Sequence, residues 1–521
     1  MKKKLRSKIG SFPAGSLAVL PGVLVALISF GLYLATLAPT ALPRDVNAGL
    51  ADAGLFQVRV YILGIPNPTG YPTYLLLGKL FTYLPVGDIG YRVNLASAVY
   101  AAVAVLLLFF LLRVLTGRTL PAAAAALLFG VSRAFWSQAV IAEVYTLNVM
   151  FVCLVCLPLL LWRKRGQDRY LLLAAFLMGL SLTNHLTSGL LIPAGLVFVG
   201  LTDWRKLLDW RLALKAAALF VAGLTPYIYL PVRAMTHPPL SGYHPASLDG
   251  FFSFVTGSSF QGQMFVYGPA QIPWRLEFYL SHLVDQFPPV FLVVAAFGFW
   301  YMLFTDRAAA VFFGILYAGW LVFALEYAIP DVWVYFIPTY LIVCVFVAPG
   351  LVALFEVAAH LSRRWRASRH LSSTRRLAAK GALGFLVLAA PLAGVQETYH
   401  VVDHSDYYQA RKTMDLVARG VPRGATVITN GSSLWYMKLV DHRRTDLRIV
   451  SPFLNPEEWS QQAKPWVRLS EKYLRRGDEV YVLLPGHRDG YYRNYFERSG
   501  LRLVSHDDGV FYRVEGDGEG G

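Results

Sequence analysis

The sequence predicts an α-helical polytopic membrane protein of about 11 transmembrane helices, followed by a small extracytoplasmic α/β domain at the C-terminal end. Three observations predict it. Of 521 residues, 56% are hydrophobic, and the mean hydropathy is +0.47; soluble domains rarely reach such averages, because only lipid-facing segments must be apolar along their whole length. Apolar runs long enough to cross about 30 Å of hydrocarbon recur along most of the chain. Beyond about residue 400 the composition turns charged, and strand-like and helix-like stretches alternate.

The runs fall near residues 16–38, 93–113, 119–135, 145–162, 170–184, 187–202, 212–232, 288–305, 308–326, 333–356 and 381–395. The basic N-terminus, residues 1–8, resembles the first part of an export signal, but the run from 17 to 37 ends among prolines that suit cleavage poorly. It is expected to stay as an uncleaved first helix with a cytoplasmic N-terminus. The net charge of +16 would suggest nucleic acid in a soluble protein. Here the basic residues cluster in short linkers, at 113–118, 163–169, 203–211, 306–307 and 360–380, where the positive-inside rule explains them and anionic lipid headgroups are their partners. The alternate linkers, 39–92, 133–144, 233–287 and 327–332, are then outside, and an odd number of spans puts the tail outside too. A bacterial inner membrane is the expected location. The expected domains are residues 1–398, in the membrane, and 399–521, outside it.

In the tail, 425–429 and 479–484 read as strands and 465–476 as a helix, an order that suggests a partly parallel sheet. Asn430-Gly431 marks a turn at a strand's carboxyl end, where such sheets bind ligands or simply turn. Cys153 and Cys156 form a C-x-x-C, which invites a redox or metal reading. No second Cys or His cluster accompanies them, so they are expected to be small apolar residues on a helix face, without disulfides.

Acids, amides and aromatics collect in the outer linkers. Asp52 follows the first span; alone, it could be a solvated surface charge. The segment Ile65-Pro-Asn-Pro-Thr-Gly-Tyr-Pro72 restricts the backbone tightly, which fits either a turn that holds a ligand, with Asn67 and Tyr71 at its tip, or one that packs a re-entrant helix. Arg92 and Asn94 stand where the chain returns to the membrane; they can meet a lipid phosphate, or Arg92 can snorkel. Glu143, beside Tyr145, lies at the mouth of a span, and an ionisable residue at membrane depth is a functional candidate. His185 can donate to a phosphate or serve as a satisfied bundle histidine. Arg233 opens a long linker whose aromatic density suits an interfacial helix or a sugar-stacking wall. Asp331 brings another acid to the same side.

The motifs D-x-G-x-F, G-I-x-x-P-x-G-Y-P, R-x-N-L-x-S, A-E-V-Y-x-L, L-T-N-H, L-P-x-R, F-x-x-x-V-T-G and D-V-x-V-Y-F-x-P occur in this order between about residues 30 and 360. The ordered set resembles a bacterial family of polytopic membrane proteins related to the transmembrane protein O-mannosyl-transferase, a branch of the GT-C glycosyltransferases. The resemblance implies a GT-C-like fold and an outward-facing site that takes a sugar from a dolichyl- or undecaprenyl-phosphate donor. A protein Ser/Thr hydroxyl or a cell-envelope glycan or lipid would accept it. Asp52 is then the first-loop acid. A hydroxyl attacking the sugar carbon needs a base for its proton, and one placed carboxylate suffices for an inverting transfer. Glu143 would position acceptor or base, and Arg92, His185 and Arg233 would bind the donor phosphate, with Asn67, Tyr71, Asn94, Tyr145 and Asp331 lining the site.

The chain departs from the family where Leu55 replaces a common Glu and Asn67 a common His. Both changes remove a candidate ligand or second acid, so no cofactor is specified and a divalent metal stays open; Asp45 is the reserve base. Two other readings stay beside this one. A transporter or flippase would show repeats and broken helices at mid-membrane, whereas the polar residues here crowd the outer edge. A non-catalytic scaffold would bind a partner through its tail.

Overall fold

The computed structural model describes residues 19–43, 50, 52–366, 382, 384–452, 463–484, 489–506 and 509–516. Asp45, and most of the basic stretch that closes the linker 360–380, lie outside them. The first helices are α1 (Leu20–Ala35), α2 (Ala53–Ile62), α3 (Pro72–Phe81) and α4 (Ile89–Thr116). They are followed by α5 (Thr119–Gly130), α6 (Arg133–Ala139), α7 (Tyr145–Arg165) and α8 (Arg169–Leu182).

Among the described residues, seven helices are long and apolar enough to cross a membrane: Ile89–Thr116, Tyr145–Arg165, Leu186–Leu208, Trp210–Ala234, Arg307–Leu325, Val332–Leu361 and Gly384–Val402. Two bent pairs raise the number to as many as nine: α5 with α6, bent by 66°, and Ile272–Gln286 with Pro289–Thr305, bent by 107°. The apolar helices α1 and α8 are shorter. Each of these elements falls on one of the predicted segments, apart from Ile272–Gln286, which the sequence placed in an outer linker. Pro288 and Pro289 explain the sharper bend, since neither supplies a backbone donor and each restricts the residue before it. Pro289–Thr305 and Ile337–Arg366 pack backbone to backbone: a Cβ on Gly298 would collide with the Phe346 carbonyl, and one on Gly350 with that of Val294. Small residues permit this approach where two helices meet in lipid. Cys153, Cys156 and Cys344 are buried free thiols.

Beyond Val395–Val402 the chain forms the helices Gln409–Gly420, Ser433–Leu439, Lys464–Leu474 and Asp489–Arg498 around a five-stranded sheet. Its strands are β1 (Thr426–Thr429), β2 (Arg448–Val450), β3 (Val480–Leu483), β4 (Leu501–His506) and β5 (Phe511–Gly516), in the order β2-β1-β3-β5-β4. β1 pairs in parallel with β2 and β3, Val427 facing Ile449 on one side and Tyr481 on the other; β5 runs antiparallel to β3 and β4. All four β1 residues are buried, as a run of Thr, Val and Ile between two neighbours requires. Asn430 follows β1 directly, and the Gly431 N–H closes the turn on Thr429 Oγ1 at 2.9 Å. Trp466, Val467, Tyr492 and Phe496 cover one face of the sheet. On the other, Met414, Val417, Leu434 and Met437 share a core with Ala41, Leu55 and Val58 from the membrane part.

Candidate active site

Asp52 is the N-cap residue of α2, and its side chain makes no capping bond to that helix. Its Oδ2 accepts instead from Asn67 Nδ2 at 2.8 Å, while Asn67 Oδ1 accepts from an Arg59 N–H at 3.3 Å. Asp52, Asn67 and Arg59 therefore form one chain. Arg59 is 4% exposed, and it stands seven residues after Asp52, two turns along the same helix face.

Every residue of α2 from Ala53 to Val60 is buried. A helix enclosed on all sides must bond its polar groups internally. Gln57 does so with both ends of its amide: Oε1 accepts from the Leu42 N–H at 2.8 Å, and Nε2 donates to Asn94 Oδ1 at 2.9 Å. Asn94 in turn donates to the Ala38 carbonyl at 2.9 Å. Asn94 has no exposed surface, and its bonds build the loop at 38–42.

The two arginines predicted to bind phosphate donate to backbone carbonyls. Arg233 donates to the Ile62 carbonyl at 2.9 Å and the Leu63 carbonyl at 2.5 Å, and Tyr229 to that of Gly64 at 2.8 Å. They cap the C-terminal end of α2, where a cation meets the orphan carbonyls and the negative end of the helix dipole. Arg92 donates to the carbonyls of Thr82, Val86 and Gly87 at 2.7–3.0 Å, closing the turn after α3. Neither guanidinium is brought to Asp52 by these bonds; each orders backbone.

The Pro-Gly turn joins α2 to the segment after α8. Gly70 has φ +98° and a Cβ there would lie 2.7 Å from Leu230, so glycine is required. Tyr71 follows at φ 45°, a conformation costly for a bulky residue and met at functional sites. Its ring stands 5.7 Å from Phe56 and 6.2 Å from His185. The Thr73 N–H donates to the Thr183 carbonyl at 3.3 Å.

Three tyrosines surround His185, with Tyr71, Tyr145 and Tyr335 at 6.2, 5.7 and 5.6 Å between ring centres. His185 Nδ1 lies 2.7 Å from Thr187 Oγ1 and accepts from the Thr187 N–H. That assigns the proton of the neutral ring to Nε2. Burial pulls the pKa of His185 down to about 4, so the imidazole is a neutral donor at physiological pH.

Glu143 is 4% exposed. Burial raises its pKa well above the ordinary carboxyl range; the charges of Asp52 and Asp331 add to the rise, and the backbone N–H groups of Val144 and Asp52, which bond its carboxylate, oppose it. Glu143 thus grips the backbone of the residue predicted to be the base. Burial also raises Tyr71, and after burial Asp52, Tyr327, Glu143 and Asp331 contribute. Burial and then Asp331 push Tyr327 up to about 12. Asp52, Glu143 and Asp331 therefore act on one place. They share a field and not a coordination shell: among the described residues no three His, Cys, Asp or Glu side chains converge as metal ligands.

The structure thus brings Asp52, Asn67, Tyr71, Glu143, Tyr145, His185 and Asp331 to one end of the helix bundle. Sequence reasoning missed Arg59, Gln57 and Tyr335. The interval of seven from Asp52 could have found Arg59, and Tyr335 was already within D-V-x-V-Y-F-x-P.

The family profile of the protein O-mannosyl-transferase TMEM260 N-terminal domain matches residues 52–208. The chain is 33% identical over 231 residues to protein O-mannosyl-transferase TMEM260 of Mus musculus, covering 43% of this chain and 33% of that protein. It is 20% identical over 452 residues to the Dictyostelium discoideum protein O-mannosyl-transferase tmem260, covering 78% of this chain and 55% of that one. The chain thus spans between a third and about half the length of these relatives. In fold it is similar to ArnT from Cupriavidus metallidurans bound to undecaprenyl phosphate, with TM-score 0.60, 13% identity and coverage of 96% and 98% of the two chains. It is also similar to the Archaeoglobus fulgidus oligosaccharyltransferase tethered to an acceptor peptide, with TM-score 0.56, 14% identity and coverage of 96% and 74%. Residues 52–208 are thus similar to the N-terminal domain of the TMEM260 O-mannosyl-transferases, and the whole chain shares the fold of ArnT and of the oligosaccharyltransferase.

Proposed function

We propose that this protein is a membrane glycosyltransferase that moves a sugar, mannose or a similar hexose, from a polyprenyl-phosphate donor to a hydroxyl. The acceptor would be a protein Ser/Thr or a cell-envelope glycan. The observation that carries the reading is the Asp52–Asn67–Arg59 chain at the head of a buried helix, at the residue where the family match begins. The acceptor oxygen attacks the anomeric carbon, the bond from that carbon to the phosphate oxygen breaks, and the lipid phosphate leaves with the electron pair. Asp52 takes the hydroxyl proton, and attack opposite the leaving group inverts the anomeric centre. Charge grows on the phosphate as the bond breaks, and fixed donors must meet it. Arg59 and the Nε2–H of His185 suit that role. Glu143 fixes Asp52 through its backbone, and Tyr71, Tyr145 and Tyr335 offer ring faces to a sugar. Arg92 and Arg233 act indirectly, by ordering α2 and α3. No metal is assigned a step, since among the described residues no three His, Cys, Asp or Glu side chains form a ligand set.

The basic linkers between spans support an orientation with this end of the bundle and the α/β domain on the extracytoplasmic side of a bacterial plasma membrane. Asp52→Asn, assayed in membranes for sugar transfer from a polyprenyl-phosphate mannose, should lower the rate by about 10²- to 10⁴-fold. Transfer at the wild-type rate would remove Asp52 as the base.

A further inference from the structure

The helix that carries Asp52 is held from behind by the C-terminal domain. Gly54, two residues after Asp52, has no space for a side chain: a Cβ would collide with the Leu42 carbonyl and with Ser432 Oγ. Ser432 is fully buried and donates from Oγ to the Leu42 carbonyl at 2.8 Å. The Leu42 N–H is bonded to Gln57 of α2, so Ser432 reaches α2 both by contact and through this bond.

Two further attachments flank the first. The Gly90 N–H, one of the orphan donors in the first turn of α4, donates to the Tyr436 hydroxyl at 2.8 Å. Arg411 donates to Asp88 at 2.6 Å, to Thr40 Oγ1 at 2.8 Å and to Asp441, and its guanidinium lies 5.0 Å from the centre of the Tyr436 ring. Asp88 is the N-cap of α4 and Thr40 belongs to the loop that Gln57 and Asn94 hold. Between these polar contacts, Leu55 and Val58 of α2 complete the apolar face of the sheet domain. A domain that merely hung from the last span would not need a glycine at 54 or supply a cap to α4.

We propose that the C-terminal α/β domain is a positioning element of the membrane site, and that Ser432, Tyr436 and Arg411 set where Asp52 stands by clamping the first turn of α2 and the loop at 40–42. The catalytic consequence rests on the function proposed above; the mechanical one does not. A small displacement of a catalytic group costs rate more than affinity when it leaves the substrate contacts in place.

The test uses full-length protein in lipid nanodiscs, with Arg411→Gln and the milder Tyr436→Phe. Amide hydrogen exchange at 53–58 should quicken about tenfold or more in Arg411→Gln, with exchange in α7 unchanged. The rate constant kcat for transfer from polyprenyl-phosphate mannose should fall about tenfold, with KM for the donor lipid unchanged. A smaller loss of kcat at constant KM in Tyr436→Phe carries the point should Arg411→Gln fold poorly. Unaltered exchange at 53–58 in both variants, or parallel changes in kcat and KM, would overturn the proposal. If the wild-type protein transfers no sugar, the exchange result alone decides the clamp, and it is the proposed function that fails.

Discussion

His185 shows how burial sets chemistry at a single residue. Its ring is enclosed by three tyrosines and 4% exposed, and its pKa falls from 6.5 to about 4. Between those values the unfolded chain binds a proton that the folded chain does not, so stability is lost as the pH falls through this window. The contribution is at most about 3 kcal/mol. Glu143 has the opposite sign, since its raised pKa favours the folded state as the pH falls. His185→Gln should therefore lose less thermal stability than the wild type on going from pH 7 to pH 4.5, measured by the unfolding midpoint in detergent; equal losses would show that His185 stays protonatable in the fold. The acids, the histidine, Tyr71 and Tyr145 were legible in the sequence as residues of the outer edge. Arg59 was not, because one arginine in an apolar run carries no signal of its own until the fold buries it and Asn67 links it to Asp52.

At the scale of the element, α2 is the part on which the site depends. Ten residues are too few for a stable isolated helix, and this one persists because both ends and both sides are tied. Gln57 and Asn94 bond its flank to the 38–42 loop, and Arg233 and Tyr229 bond the carbonyls at 62–64 that close it. Gly54→Ala drives a methyl group into the Leu42 carbonyl, and backbone cannot yield as a flexible side chain can. The substitution should cost about 1–3 kcal/mol and lower the unfolding midpoint together with transferase activity. A variant as stable and active as the wild type would mean that the loop at 38–42 moves freely. The helix itself is hidden in the sequence, where residues 39–92 read as one outer linker. Its apolar residues carry no amphipathic period, for the reason that it is covered on every side.

Across the whole molecule, the membrane bundle and the sheet domain are one packed body at the Asp52 end. The predicted boundary at 398/399 falls inside the helix Val395–Val402, and the elements of the α/β fold begin with Gln409. Removing residues 409–521 should strip the cover from Leu55, Val58 and Ala41, abolish transfer and lower the unfolding midpoint of the remaining spans. An active, undiminished truncation product would show that the bundle holds α2 without help. The bend of 107° before Pro289–Thr305 likewise belongs to this scale, since it sets the helix Ile272–Gln286, inside the predicted outer linker, at a steep angle to the span that follows.

The sequence by itself determined the membrane class, the number and order of the apolar segments, the charged tail with its partly parallel sheet, and the family that the first loops resemble. Those properties follow from local composition, from strand and helix periods, and from short motifs that survive without their surroundings. Tertiary structure alone decided which side chains meet Asp52, which arginines order backbone and which stands beside it, and that the far end of the chain braces the helix at its beginning. Hydrogen bonds joining residues 42 and 432, or 90 and 436, leave no periodic trace in a sequence, because the chain between them closes the distance only when the whole fold is formed.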